Sequence, residues 1–359
     1  EQLANKIAAG EVVDRPSSVI KELVENAIDA QSTFIEILVT EGGLEKIKVV
    51  DNGIGMDRTD AQLAFERHAT SKLKDDRDLF HLTTLGFRGE ALPSIAAVSQ
   101  VQLHTWDGES TAGTAVTIHG GKYLLVEDAP PRRGTSIEIE HLFYNTPARY
   151  KYLKSVHTEI GHIADTVNRL ALAHPGIAFK LSHNGKLLLQ TNGSGHLNQV
   201  IYAIYGKEAH QALIELEYHD GLDFELKGAI TKPEFTRSNR NYMTIVINGR
   251  YIRSYPITQA LLQGYHTYLP INRYPLAVLH IQMEPSLLDI NVHPAKLEAR
   301  LSKEQELYTL VTKVIHDKLR AMRHIPEPLP AKETSSTKQG APNPVSERVK
   351  ERNPSYIQA

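Results

Sequence analysis

Helical and strand spacings of apolar residues alternate along the first two hundred positions. Val19, Ile20, Leu23, Val24, Ala27 and Ile28 recur at the three- and four-residue intervals of a helix that buries one face. Pro16, with Asp14 just before it, suits a helix start, and 1–30 as a whole reads as helical. FIEILV and KIKVVD then flank Glu41-Gly42-Gly43, which predicts a hairpin with a glycine turn. A glycine-rich loop follows at 51–57, then a helix over 58–68 and a polar stretch from 70 to 84. A second glycine loop at 86–89 leads into an apolar helix over 90–97, and strand-like runs occupy 99–106, 114–119 and 135–140. Ile160, Ile163, Ala164, Val167, Leu170 and Ala171 predict a helix over 157–173, ended by His174-Pro175-Gly176. FKLSHNGKLLLQT reads as a hairpin turning on Asn184-Gly185.

A second unit opens near 198. A helix over 197–205 stops at Gly206, and strands follow at 213–218, 224–231 and 243–248. A helix over 255–264, a strand over 275–283, the loop DINVHPAK and a last helix over 303–323 complete it. From 326 onward the composition shifts to Ser, Thr, Lys and Glu with six of the 18 prolines, as in a flexible linker. The expected division is therefore 1–197, 198–325 and a linker over 326–359. Helices over largely antiparallel strands indicate an α+β fold. There is no GxxxxGK[ST] loop, and Gly53-Ile54-Gly55 lacks the helix and acidic partner that a dinucleotide fold requires.

Composition narrows the chemistry. With 40 basic and 42 acidic residues among 359, the chain has no global attraction to polyanions, so any DNA contact needs a local basic patch. The absence of cysteine excludes disulfides, thiolate nucleophiles and cysteine-based zinc sites. No apolar run reaches the about 18 residues that span a membrane, and no signal peptide is visible. The opening at Glu1 rather than Met leaves room for residues before it.

Three features carry candidate chemistry. Glu22 and Asn26 sit four apart and so share one helical face. The amide oxygen suits Mg²⁺, a hard cation, and the carboxylate one turn earlier suits the deprotonation of a water. Glu25 competes for that role, but Lys21 four residues before it explains it as half of a surface ion pair. In Asp51-Asn52-Gly53-Ile54-Gly55-Met56-Asp57 the glycines permit close backbone approach, and Asp51 at a strand end can accept a hydrogen bond from an exocyclic amine such as that of adenine. Leu85-Gly86-Phe87-Arg88-Gly89-Glu90-Ala91-Leu92 ends at a helix start, where free N–H groups favour phosphate, and Thr70-Ser71-Lys72 adds hydroxyls and a cation. Each has a plainer reading: a solvated polar face, an Asn-Gly turn, a helix-capping loop.

Their order and combination are more telling. Glu22-x-x-x-Asn26, Asp51-x-Gly53-x-Gly55 and Gly86-x-x-Gly89 resemble the GHKL ATPases, the superfamily of gyrase, heat-shock chaperones, histidine kinases and MutL. QLANKIAAGEVVDRP, KELVENAIDA, DNGIGM, RHATSK, LGFRGEAL, FYNTPAR and NVHPAK are similar to the N-terminal part of the MutL family of DNA mismatch repair proteins, over about 1–325. The resemblance implies a GHKL-type ATPase α/β sandwich followed by a ribosomal S5-type α/β domain. It implies ATP and Mg²⁺ as ligands, with Glu22 as general base, Asn26 on Mg²⁺ and Asp51 on the adenine amine. Gly55, Thr70, Ser71, Lys72, Gly86 and Arg88 to Leu92 (Gly89, Glu90 and Ala91 between them) would surround the nucleotide, Thr135 would hold the base through water, and Lys296 would reach the γ-phosphate from the second domain.

The resemblance further implies an ATP-dependent clamp: slow hydrolysis, dimerisation of N-terminal domains, and coupling of mismatch recognition to strand removal. The implied partners are DNA, a mismatch-recognition protein of the MutS type and a second copy of the chain, with no membrane, in a bacterial cytoplasm near the nucleoid. An endonuclease, where the family has one, lies in a C-terminal domain that this sequence does not contain. Candidate DNA contacts are Arg149, Lys151, Arg237, Arg250 and Arg253, with Arg240 nearby. The family word FYNTPARRKFL reads FYNTPARYKYLK here, so Tyr150 replaces a base while Arg149, Lys151 and Lys154 persist. Two other readings are a scaffold that uses ATP only as a structural ligand, and a topoisomerase or chaperone branch. Intact Glu22 speaks against the first, FYNTPAR and NVHPAK against the second.

Overall fold

The computed structural model describes residues 12–66, 89–219, 223–289 and 300–323. Helix α1 (Pro16–Asp29) leads into strands β1 (Phe34–Thr40) and β2 (Lys46–Asp51), an antiparallel pair closed at Glu41–Gly43. After the short helices α2 (Arg58–Leu63) and α3 (Ala91–Ala97) come β3 (Gln100–Trp106), β4 (Gly113–His119), β5 (Lys122–Ala129) and β6 (Gly134–Glu140). Helices α4 (Pro147–Tyr152) and α5 (Val156–Ala173) precede β7 (Ala178–His183) and β8 (Lys186–Gln190). These strands form one sheet in the order β5-β4-β3-β6-β2-β1-β7-β8. All its neighbours are antiparallel except β1 and β7, which run parallel because α5 carries the chain back along the sheet.

Alternation along the strands divides the faces. Ile35, Ile37, Ile47, Val49, Val101, Leu103, Ile137 and Ile139 point to one side and pack with Ile20, Leu23, Val24 and Ala27 of α1 and Ile163, Val167 and Leu170 of α5. The other face is charged. Lys46 lies 2.6 Å from Glu138 and 2.9 Å from Glu140, Lys48 lies 3.0 Å from Glu138, and Lys180 lies 2.8 Å from Glu36. Opposite charges on adjacent strands suit a solvated face. The result is a two-layer sandwich of sheet and helices, the α+β class expected.

Helix α6 (Leu197–Gln211) leads to the second unit. Its strands are β9 (Leu213–His219), β10 (Phe224–Thr231), β11 (Met243–Ile247), β12 (Arg250–Tyr251) and β13 (Ala277–Met283), in the order β12-β11-β13-β10-β9. Helices α7 (Tyr255–Tyr265) and α8 (Glu304–Arg323) cover it. Here Ile245, Ile247, Ile257, Leu261, Leu279, Ile281, Val311 and Ile315 make a separate core. Val200, Ile201 and Ala209 of α6 join the first core, and so do Ala229, Leu276 and Val278 from the second unit. Gly206 does interrupt α6, at φ 84° and ψ −178°, but helical structure resumes to Gln211.

Elements that bury little had no forecast, among them β5 and α4. β5 is an edge strand whose first four residues are exposed, and α4 buries no residue. Neither leaves a hydrophobic rhythm to read. The expected linker over 326–359 and the segment 1–11 lie outside the described residues. No described helix is long and apolar enough to cross a membrane.

The two units meet along α5. Arg169 donates to the Asn241 carbonyl at 3.1 Å, stacks 4.4 Å over the Tyr251 ring, and stays anchored to its own helix through Asp165 at 2.9 Å. Three residues further on, the Leu172 carbonyl lies 2.8 Å from His280 Nε2. A buried guanidinium with a carboxylate, a carbonyl and an aromatic face is well compensated.

Candidate functional site

The loop after β2 is built by backbone contacts that only glycine permits. The Ile54 N–H donates to the Ala30 carbonyl at 2.9 Å, which pins the loop to the end of α1. Gly55 sits at φ 71°, and a Cβ there would come within 1.9 Å of the Trp106 carbonyl oxygen. On the facing strand, Gly134 at φ 92° passes so close that a Cβ would meet the Asp51 carbonyl oxygen at 2.2 Å. These approaches draw the ends of α1, β2, β3 and β6 together.

Asp51 lies in that knot, 8% exposed. Its Oδ1 accepts from the Gly53 N–H at 2.8 Å, Ser32 Oγ at 3.1 Å and the Thr135 N–H at 3.4 Å. Oδ2 accepts no hydrogen bond from a described residue. Burial pushes the Asp51 carboxyl above the usual range, and the three donors, with Arg132 nearby, partly offset this. Thr135 Oγ1 lies 3.0 Å from Thr105 Oγ1, which also accepts from the Met56 N–H at 3.0 Å. Asp51, Gly55 and Thr135 are thus brought together. Ser32 and Thr105, which fix them, escaped the sequence reading because their roles exist only through the pairing of distant strands.

Glu22 and Asn26 stand one turn apart on α1, both half-buried. Lys21 Nζ bridges Glu22 at 3.1 Å and Glu25 at 2.9 Å. The expected Lys21–Glu25 pair therefore exists, but Glu25 is 7% exposed, so it is a buried pair rather than a surface one. Burial opposes the charge of Lys21, but Glu25 and Glu22 outweigh it and hold its pKa above the ordinary lysine value. The Asn26 side chain makes no hydrogen bond to a described residue, so an oxygen ligand of the kind magnesium takes stands beside a carboxylate. A single amide suits Mg²⁺, which keeps several waters and relies on substrate phosphates. Among the described residues there is no cluster of three or more His, Asp or Glu to hold an ion alone.

Gly89, at φ 59°, and Glu90 precede α3, which Ala91 and Leu92 open. Thr70, Ser71, Lys72, Gly86, Arg88 and Lys296 lie outside the described residues.

The candidate DNA contacts separate. Arg253 and Lys151 are exposed and Arg149 half-buried. Arg237 is half-buried and stacks over the rings of Phe235, at 4.5 Å, and Tyr242, at 5.3 Å. Arg250 does not suit the expected role. It is 6% exposed, and burial lowers its pKa against the opposing pull of Glu25, Asp29 and Glu22. A side chain enclosed by its own protein and facing the carboxylates of α1 is not positioned to meet a phosphate backbone.

Comparison with known proteins agrees with this architecture. Residues 14–123 match the family of histidine kinase-, DNA gyrase B- and HSP90-like ATPases, and 201–320 match the C-terminal domain family of DNA mismatch repair proteins. The chain is 57% identical over 326 residues to a DNA mismatch repair protein MutL from Geobacillus thermodenitrificans, covering 91% of this chain and 50% of that protein. A MutL from Listeria innocua is 56% identical over 327 residues, covering 91% and 54%. The chain thus spans about half the length of the curated relatives it matches. Among solved structures, the N-terminal domain of a DNA repair protein superposes with a TM-score of 0.76 at 24% identity, covering 89% of this chain and 98% of that one. The Aquifex aeolicus MutL ATPase domain complexed with ADP superposes with a TM-score of 0.58 at 24% identity, covering 76% and 94%. At that identity both likenesses speak to the fold.

Proposed function

The chain belongs to the MutL family of DNA mismatch repair proteins, of which it spans the N-terminal ATPase region, and from that premise we propose that it binds and slowly hydrolyses ATP to drive a clamp. The observation that carries the reading is the Asp51 carboxylate: three donors saturate Oδ1 and no described residue donates to Oδ2, which offers a fixed acceptor to an exocyclic amine. Thr135, steadied by Thr105, holds the base beside it, and the glycines at 53 and 55 let the nucleotide approach the backbone.

Glu22 accepts a proton from the water that attacks the γ-phosphorus, the leaving group being ADP. Asn26 would hold Mg²⁺, which when bound would supply neutralising charge at the phosphate oxygens. Lys72, Arg88 and Lys296 supply positive charge to the phosphates, and Thr70, Ser71 and the residues from Gly86 to Leu92 supply hydroxyl and N–H donors. Because Lys296 belongs to the second unit, the γ-phosphate can bias how the two units sit together. Two nucleotide-loaded copies close as a clamp on DNA, bound through Arg253, Arg149 and Lys151 without regard to sequence, and couple a mismatch-recognition protein of the MutS type to strand removal.

Steady-state hydrolysis with magnesium, and gel filtration with and without a non-hydrolysable ATP analogue, test this. Turnover with magnesium and a shift to dimer only with the analogue are expected. No turnover would leave ATP a structural ligand, and no shift would remove the clamp.

A further inference from the structure

Arg250 is 6% exposed, among the most deeply buried cations of the described residues, and the hydrolytic chemistry proposed above makes no use of it. It begins β12, the edge strand of the second sheet, where Ile247 pairs with it across the turn. Its two neighbours are fixed to the ATPase unit. A Cβ on Gly249 would lie 3.6 Å from the His174 ring at the end of α5, and the Tyr251 ring lies under Arg169 of the same helix at 4.4 Å. Helix α5 packs in turn against α1 in the first core. The second sheet therefore buries a guanidinium beside the ATPase unit with its backbone held on both sides. Burial weakens the charge of Arg250, and Glu25 first, then Asp29 and Glu22, act to keep it.

These residues form a chain of charges. Glu25 is shared between the field of Arg250 and the ammonium of Lys21, and Lys21 is shared between Glu25 and Glu22. We infer that Arg250 is a positioning residue for hydrolysis: through Glu25 and Lys21 it fixes where the Glu22 carboxylate stands, so that seating of the second unit on α5 sets the competence of the base. The inference rests on Glu22 being that base. Its physical content is a division of Lys21. With Arg250 present, its charge and the ammonium of Lys21 both act on Glu25, and Lys21 can also hold Glu22. With Arg250 neutralised, buried Glu25 keeps Lys21 as its principal cation, the ammonium is drawn off Glu22, and the carboxylate loses its fixed position. This route reaches Glu22 from the helix, independently of Lys296.

The test uses the full chain with Arg250→Gln, Arg250→Lys, Glu25→Gln and the Arg250→Gln/Glu25→Gln pair. Arg250→Gln should lower kcat for ATP by about 10-fold or more while KM and the affinity for a non-hydrolysable ATP analogue move less than about 3-fold. Arg250→Lys should recover an intermediate kcat, and the pair should be no worse than Arg250→Gln alone, because Glu25 no longer competes for Lys21. Additive losses in the pair, or an unchanged kcat in Arg250→Gln, would overturn the inference. If Arg250→Gln fails to fold, Arg250→Lys stands in for it, and a wild-type kcat there, unmoved by adding Glu25→Gln, overturns the inference equally. Glu22→Ala separates the two readings. Full turnover in that variant removes Glu22 as base, whereas lost turnover there with unchanged kcat in the Arg250 variants removes only the role of Arg250.

Discussion

The ammonium of Lys21 lies 3.1 Å from the carboxylate of Glu22, the residue that immediately follows it on α1. Consecutive helical side chains point about 100° apart, so the contact draws Lys21 sideways, and Glu25 at 2.9 Å pulls on the same ammonium from one turn away. Glu22→Ala should therefore leave the helix intact, since Lys21 keeps Glu25. Turnover should fall by roughly 100-fold or more, the usual contribution of a general base. Equilibrium binding of a fluorescent ATP analogue should change little. Wild-type phosphate release from this variant would refute the assignment.

Asp51→Asn keeps an oxygen for Gly53, Ser32 and Thr135 but turns Oδ2 into a donor, which repels an exocyclic amine. ATP affinity should drop by about 10- to 100-fold, the value of one charge-assisted hydrogen bond with its partner left unpaired. Because Asn carries no charge, the cost of burying the carboxylate also disappears, so thermal stability should hold or rise. Calorimetric titration with ATP measures the first and a melting curve the second. Unchanged affinity would place the base elsewhere.

Gly55→Ala forces a methyl to within 1.9 Å of the Trp106 carbonyl at a φ of 71°. Overpacking and backbone strain together should cost roughly 2–4 kcal/mol. Gly161→Ala is the matched control: a Cβ on Gly161, in α5, would meet nothing within 4 Å, and alanine in a helix should add about 0.5–1 kcal/mol. Urea denaturation of both variants decides it, and equal midpoints would contradict the close approach.

Acid should loosen the junction between the units. Burial, with His280 adding to it, lowers His174 to about 4, while Asp29 and the Gly249 backbone pull the other way; burial also lowers His280. Both pKa values in the folded state lie below the unfolded value, so the folded protein binds fewer protons in between. Stability is then complete above the unfolded pKa and lost as pH falls towards the folded one. For His174 the loss by pH 5.5 should be on the order of 1 kcal/mol. His174→Gln should flatten the stability profile between pH 7.5 and 5.5, and a profile that keeps its wild-type slope would count against a buried neutral His174.

DNA affinity should fall with salt, and Arg253→Ala should reduce the slope of log affinity against log salt by about 1, the release of one phosphate contact. Arg250→Ala should leave that slope alone, because the guanidinium is buried. Filter binding over a salt series measures both. A slope change at Arg250 and none at Arg253 would reverse the placement.

The sequence by itself determined most elements and the family. Helix α5, the hairpin at Asn184-Gly185 and the core strands are legible because each buries one face, and burial imposes a period that residue type records. Glu22, Asn26, Asp51 and the glycine loops stand out as candidates because each lies on one helical face, at one strand end or in one turn, and their order along the chain carries the family resemblance. What only the tertiary structure decided are the elements that bury little, β5 and α4, and every role created by distant segments meeting. Ser32 and Thr105 serve Asp51 and Thr135 only once α1, β3 and β6 converge. Lys21 and Glu25 look like a surface pair until the tertiary structure buries them. Arg250 reads as one of several arginines available to DNA, and it is the docking of β12 on α5 that turns it inward to the carboxylates of α1. Charge type is written in the chain, but the burial that decides what a charge can do arises only when the two units close over it.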